Sequence, residues 1–205
     1  MSIAAILLAA GRSRRMGAFK PLLPFGSKTV VECCVQYLME GGAEQVVVVL
    51  GPQGEEVRAR LSHLDLGFAI NPLAESEMGD SIARGVEQLT DDAEAILIAL
   101  VDQPAIPARV PQALIKEWRQ GGRARLFVPE HAGRGGHPVL VDKTLRSELL
   151  QLDRQGGLRA LFSRSEVGVA RVHVDSPYIA RDMDTWDDYR ALYEEVFNTE
   201  PPIAF

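Results

Sequence analysis

Arg12, Arg14, Arg15 and Lys20 stand close together between Gly11 and Gly26, directly after the apolar run "IAAILLA" (3–9). Glycines let backbone N–H groups approach a ligand, and the cations beside them can neutralise phosphate oxygens, Arg as a planar fork and Lys as a point charge. A solvated basic surface loop is the plain alternative. Cations gathered between glycines at the carboxyl end of a strand favour an anion site. The spacing is neither G-x-x-x-x-G-K-[ST] nor G-x-G-x-x-G, so neither of those phosphate loops is present.

Four further stretches hold chemistry-bearing residues. In "LVDQPAIP" (100–107), Asp102 ends an apolar run. It can be a turn former ahead of Pro104. Beside a polyphosphate it can instead hold Mg²⁺, an ion that takes few protein ligands and keeps phosphate and water oxygens. In "NPLAESEMGDSIARGV" (71–86), Asn71 and Ser81 are the candidates, and Asp80–Ser81 would also serve as a plain helix cap. "GRGGHPVLVD" (133–142) sets Arg134 and His137 among glycines before a strand, where the histidine can equally cap backbone groups. "RDMDTWDDY" (181–189) supplies Asp182, Asp184, Asp187 and Asp188; Thr185 or Asp184 as helix cap with an acidic first turn accounts for the last two.

These residues need elements to position them. "IAAILLA", "QVVVVL" (45–50), "LGFAIN" (66–71), "AILIALV" (95–101) and "RLFVPE" (125–130) have the aliphatic, β-branched character of buried parallel strands. Helical spacing lies between them, in "TVVECCVQYLMEGG", "GEEVRARLSHL", "SIARGVEQL" and "RVPQALIKEWRQGG". The last third adds strands "HPVLVD" and "VARVHVD", helices "TLRSELLQL" and "GLRALFSR", and a closing helix "TWDDYRALYEEVF". Strand–helix alternation predicts a doubly wound α/β fold with a mostly parallel sheet, whose ligands collect beyond the carboxyl ends of the strands. No linker divides the chain, so residues 1–197 are expected to form one domain and 198–205 a tail.

Composition narrows the classes. The net charge of -6 argues against a nucleic-acid surface. The adjacent Cys33 and Cys34 have no metal-type spacing and are expected to be small core or boundary residues. The short N-terminal apolar run ends in glycine and arginines, unlike a signal peptide or a membrane span, which makes cytoplasm the default location.

"LLAAGRSRRMGAFKPLLPFG" resembles the signature L-A-[AG]-G-x-[SG]-x-R-M-G-x-x-K of the nucleotidyltransferases with a GT-A-like, three-layer Rossmann-like fold. It is most similar to the molybdenum cofactor cytidylyltransferases of the molybdopterin nucleotidyltransferase family. The four other stretches match that family's blocks in order; Glu77 and Val101 stand where the family usually has small residues. The resemblance implies that Arg15 and Lys20 hold the triphosphate, with Ala9, Ala10 and Gly11 facing the base and Asn71 and Ser81 assisting. It implies Mg²⁺ on Asp102 and Asp184, with Asp182 in support, and Arg134 and His137 facing a phosphorylated pterin. It also implies catalytic roles for Arg15, Lys20 and Asp102. Cytidylyl members tend to read "LAAG" and guanylyl members "LAGG", so Leu8-Ala9-Ala10-Gly11 points to CTP. The implied reaction is CMP transfer to molybdenum-bearing molybdopterin, the product passing to a molybdenum hydroxylase or its chaperone. Rivals are a guanylyltransferase, a cytidylyltransferase for a small polyol phosphate, and a nucleotide-sensing module. A related subgroup is named for reduction of a nicotine-derived pigment, but no dinucleotide fingerprint is present here.

Overall fold

The computed structural model describes residues 2–11, 16–72, 77–152, 157–163 and 167–202. In chain order its elements are β1 (Ser2–Ala9), the short pair β2 (Pro24–Phe25) and β3 (Lys28–Thr29), α1 (Val30–Glu40), β4 (Gln45–Leu50), α2 (Glu55–Arg60), β5 (Gly67–Ile70) and α3 (Met78–Glu87). There follow β6 (Ala93–Leu100), α4 (Arg109–Arg119), β7 (Leu126–His131), β8 (Arg134–Gly135), β9 (Val139–Asp142), α5 (Arg146–Leu150), α6 (Gly157–Phe162), β10 (Val169–His173) and α7 (Trp186–Phe197). Every strand and helix expected from the apolar patterning is present.

The central strands are apolar at nearly every position because both of their faces are covered, and successive side chains point to opposite faces. Ile3, Ala5, Leu7 and Ala9 of β1 join Val48 and Leu50 of β4 and Leu97 and Ala99 of β6 in one core, closed by α1, α4 and α7. Ala4 and Ile6, Val47 and Val49, and Ile96 and Ile98 face a second core, closed by Ile82 and Val86 of α3, Leu149 of α5 and Leu158 of α6. The result is a three-layer α/β fold with a mostly parallel central sheet.

The sheet runs in the order β10-β7-β9-β6-β1-β4-β5, with β8 paired to β7. β1 pairs in parallel with both β4 and β6, aligning Leu8 with Val49 and Leu100. Chain progression reverses at this point, from β1 through β4 to β5 on one side and from β6 onward on the other. Such a switch leaves a crevice at the strands' carboxyl ends. β9 is antiparallel to both its neighbours, β6 and β7. Patterning alone did not reveal that inversion, since an antiparallel strand buried on both faces reads like a parallel one.

Two small features position the crevice. Lys20–Leu22 form a single 3₁₀ turn with Pro21 inside it, leading into the β2–β3 hairpin. α7 then packs on that hairpin: the Tyr189 hydroxyl donates to the Pro24 carbonyl at 2.8 Å, and Phe25 meets Tyr193 and Phe197 edge-on. The end of the chain thus clamps the segment bearing Lys20. Both cysteines are free, Cys34 buried and Cys33 partly so, as expected for packing residues. Among the described residues no helix is long and apolar enough to cross a membrane.

Removing the Tyr189 hydroxyl leaves the Pro24 carbonyl without its donor. Tyr189→Phe should cost about 1–2 kcal/mol, lowering the thermal midpoint by roughly 2–8 °C. An unchanged midpoint in differential scanning calorimetry would show that the clamp rests on ring packing alone.

Candidate active site

Lys20, Asp102 and Asp184 converge at the switch crevice from three distant parts of the chain. Lys20 comes from the turn after β1, Asp102 from just beyond β6, and Asp184 from just before α7. Lys20 is only 7% exposed. Its Nζ lies 2.9 Å from Asp184 Oδ1 and 3.9 Å from Asp102 Oδ2. A buried ammonium needs such partners, because removing its hydration shell is otherwise costly. The Met183 N–H donates to the Asp102 carbonyl at 3.0 Å, so backbone pairing carries the Asp182–Asp184 segment to the end of β6.

Burial pushes the Asp102 carboxyl up to about 6; the Lys20 ammonium opposes that rise, and the charges of Asp182 and Asp184 add to it. Asp102 Oδ1 is buried and has no hydrogen-bond partner among the described residues. An orphaned anionic oxygen next to a second carboxylate suits a hard divalent cation, which would draw its remaining ligands from phosphate and water. Among the described residues no group of three or more His, Cys, Asp and Glu could hold a metal by protein ligands alone.

A cavity of about 240 Å³ opens beside this cluster, lined by Ala10, Gly11, Lys20, Glu77, Ser81 and Asp102, among others. Ala10 and Gly11 therefore reach it, whereas the side chain of Ala9 turns into the core on the other face. Ser81 does not cap a helix. α3 starts earlier, at Met78, with Glu77 at the N-cap and the Asp80 carboxylate accepting from the Glu77 N–H at 3.3 Å. Ser81 lies inside the helix, and its hydroxyl accepts from Asn71 Nδ2 at 2.9 Å. Asn71, 1% exposed, supports Ser81 from beneath rather than lining the cavity. At α7, Thr185 is the cap, with Asp188 completing a capping box.

A second, larger cleft of about 840 Å³ adjoins the first and shares Glu77, Met78 and Leu100 with it. Gln103, Gly135, Gly136, His137, Asp182 and Arg171 are among its lining. The His137 ring contacts the Ile98 carbonyl through Nδ1 at 3.3 Å. A carbonyl only accepts, so Nδ1 carries the proton and Nε2 keeps its lone pair. Burial holds His137 below the ordinary imidazole range, against the contrary effects of Ile98 and Asp182. Gly136 is required here because a Cβ would collide with the Ile179 carbonyl.

Arg134 is exposed on β8 and lines neither cavity. Arg12, Arg14 and Arg15 lie outside the described residues. Gln103 was not singled out in the sequence, yet it is 2% exposed and its Nε2 donates to Asp182 Oδ1 at 2.6 Å. Its place beside Asp102 in "VDQP" was the available signal. Arg171 and Arg159 also line the large cleft; Arg159 falls in "GGLRALF" (156–162), a stretch that resembles a segment typical of the cytidylyl branch, whereas no motif announced Arg171.

Comparisons with known proteins agree with this fold. A family model described as "MobA-like NTP transferase domain" matches residues 5–179. The nicotine blue oxidoreductase of Paenarthrobacter nicotinovorans is 30% identical over 93% of this chain and 96% of that protein. The molybdenum cofactor cytidylyltransferase of Escherichia coli (strain K12) is 24% identical over 92% of this chain and 94% of that protein. Among solved structures, Rv0371c from Mycobacterium tuberculosis H37Rv superposes with a TM-score of 0.82 at 29% identity, covering 95% of this chain and 99% of that one. A manganese complex of Rv0371c superposes at 0.77 with 27% identity, covering 94% and 98%.

The raised Asp102 carboxyl makes the ligand-free protein's stability depend on pH. Its value climbs from 3.8 to about 6 on folding, so its contribution is fully present below pH 4 and is lost as pH rises through 6. Asp102→Asn removes that loss. The variant's stability should therefore rise relative to the parent between pH 4 and pH 7, by on the order of 2–3 kcal/mol at most. Parallel denaturant titrations at the two pH values test this; an equal stability difference at both would refute the raised carboxyl.

Proposed function

The chain belongs to the MobA-like NTP transferase family, and on that premise we propose that it transfers CMP from CTP to molybdenum-bearing molybdopterin, releasing pyrophosphate. The observation that carries the reading is the meeting of Lys20, Asp102 and Asp184 at the switch crevice, beside the backbone of Ala10 and Gly11. An ammonium and two carboxylates at a strand-end cavity suit a metal-bound triphosphate. Residues 1–197 are read as one nucleotidyltransferase domain, in keeping with the eight-stranded sheet that joins β1 at one end of the chain to β10 near the other, β2 and β3 forming a separate pair. Cytoplasm is the assigned location.

The reaction is an in-line displacement at the α-phosphorus. A bond forms from an anionic phosphate oxygen of the acceptor as the bond to pyrophosphate breaks. No strong general base is needed, so positioning and charge compensation suffice. Asp102 and Asp184 are assigned to hold Mg²⁺, which when bound neutralises phosphate charge and aligns the reacting oxygens. Lys20 compensates the charge that grows on the α-phosphate and the leaving group; Arg15 receives the same role from its place in the motif. Ala10, Gly11 and Ser81 face the base, with Asn71 fixing the Ser81 hydroxyl. Neutral His137 offers Nε2 as an acceptor in the large cleft, where the pterin would lie. Arg134, exposed and outside that lining, is less well placed for the acceptor than its motif implied.

The test mixes the protein with Mg²⁺, molybdenum-loaded molybdopterin and either CTP or GTP, following pyrophosphate and the dinucleotide. Turnover with CTP alone is expected. Turnover with GTP alone would overturn the base assignment, and reduction of a pigment without nucleotide turnover would favour the activity named for the 30% identical relative. In the same assay Lys20→Ala and Asp102→Asn should each lower kcat by about 10²-fold or more. Full turnover by either would remove that residue from the mechanism.

A further inference from the structure

The large cleft extends well past the reacting centre, to the outer edge of the sheet. β10 lies three strand spacings, or roughly 14 Å, from β6, just beyond which Asp102 stands. At that far edge Arg171 projects from β10, and its Nη1 is held by Glu130 Oε2 of β7 at 2.8 Å. The pair has an ordinary explanation as an exposed cross-strand salt bridge, which stabilises little. Its setting calls for more. Gly135 lies beside it: a Cβ there would stand 3.6 Å from Arg171 Nη1 and press on Val128 at 3.2 Å. The guanidinium therefore borders bare glycine backbone on the cleft lining, next to the apolar side chains of Val128 and Val169.

A planar guanidinium beside a bare peptide surface and aliphatic walls is a setting for a flat, polar-edged heterocycle. Resting on the acceptor reading above, we propose that Arg171 is a specificity-determining residue. It donates to, or stacks on, the end of an extended heterocyclic acceptor farthest from its reacting phosphate, while Glu130 fixes the direction of the guanidinium. An acceptor without such a body, such as a small polyol phosphate, falls short of Arg171 and gains nothing from it. Two of the five guanidinium N–H groups at most are engaged by the Glu130 carboxylate, so donors remain for a ligand. Among the described residues Arg171 is 62% exposed along its side chain.

The experiment compares the parent chain with Arg171→Ala, Arg171→Lys and Glu130→Gln, all exposed or partly exposed surface changes. Binding of molybdenum-loaded molybdopterin, erythritol 4-phosphate and CTP is measured separately by calorimetry, alongside turnover. Arg171→Ala should weaken pterin binding by about tenfold to a hundredfold, with the loss in turnover carried by the acceptor's KM. CTP affinity should not change. Arg171→Lys should recover only part of the loss, because an ammonium lacks the planar fork, and Glu130→Gln should give a smaller loss than Arg171→Ala. Equal pterin affinity in the parent chain and Arg171→Ala would overturn the inference while leaving the cytidylyltransferase reading intact. A parent chain that binds erythritol 4-phosphate in preference to the pterin, or binds no pterin, would overturn both.

Discussion

A lysine ammonium that is almost fully buried cannot stand alone, and the fold around Lys20 is arranged by that need. Desolvating a charge costs several kcal/mol, and only close counter-charges of good geometry offset it. Asp184 at 2.9 Å and Asp102 at 3.9 Å provide them. Three segments remote in sequence must therefore close on one point. The apolar register of β1 and β6 brings the first two together, and the Met183–Asp102 backbone bond with the Tyr189–Pro24 bond brings the third. Burial raises the Asp102 carboxyl, and among the described residues the negative charges of Asp182 and Asp184 add to that rise against the opposing Lys20 ammonium. That negative charge is what a divalent cation would relieve.

The two cavities differ in their surroundings. The smaller is walled by strand ends and by the start of α3, with Ala10, Gly11 and Ser81 in its lining beside the charged Lys20, Glu77 and Asp102. The larger opens across β7, β9 and β10, where inversion of β9 leaves room for the glycine-rich turn of residues 133–136 and for His137. They meet at Leu100, beside Asp102, so ligands in each would meet next to the carboxylates. A fold of this type serves many chemistries, and the relatives include one named an oxidoreductase and one named a cytidylyltransferase.

The strands and helices were legible in the chain because burial on two faces forces long aliphatic runs, and because caps such as Thr185 with Asp188 punctuate the helices. The glycine–cation loop, Asp102 at a strand end and the acidic segment 181–188 stood out as candidates for the same reason: residue type and place in the pattern. Other features left no trace. An antiparallel β9 has the same apolar composition as a parallel one, the hydrogen-bond direction alone differing. The start of α3 was misplaced because Asp80–Ser81 imitates a cap, while the observed Glu77–Asp80 box begins a turn earlier.

What the amino-acid sequence determined by itself was the layering, the family and the identity of Lys20, Asp102 and Asp184 as a set. Tertiary structure alone decided which side chains share a space. It turned Ala9 away from the cavity and set Asn71 behind Ser81. It left Arg134 on the surface, and brought Gln103 to Asp182 and Arg171 to the cleft. The physical reason is that alternation and periodicity are local properties of the chain, whereas the contents of a cleft depend on strand order and on long-range pairing. Those are set by how all the apolar faces are buried at once.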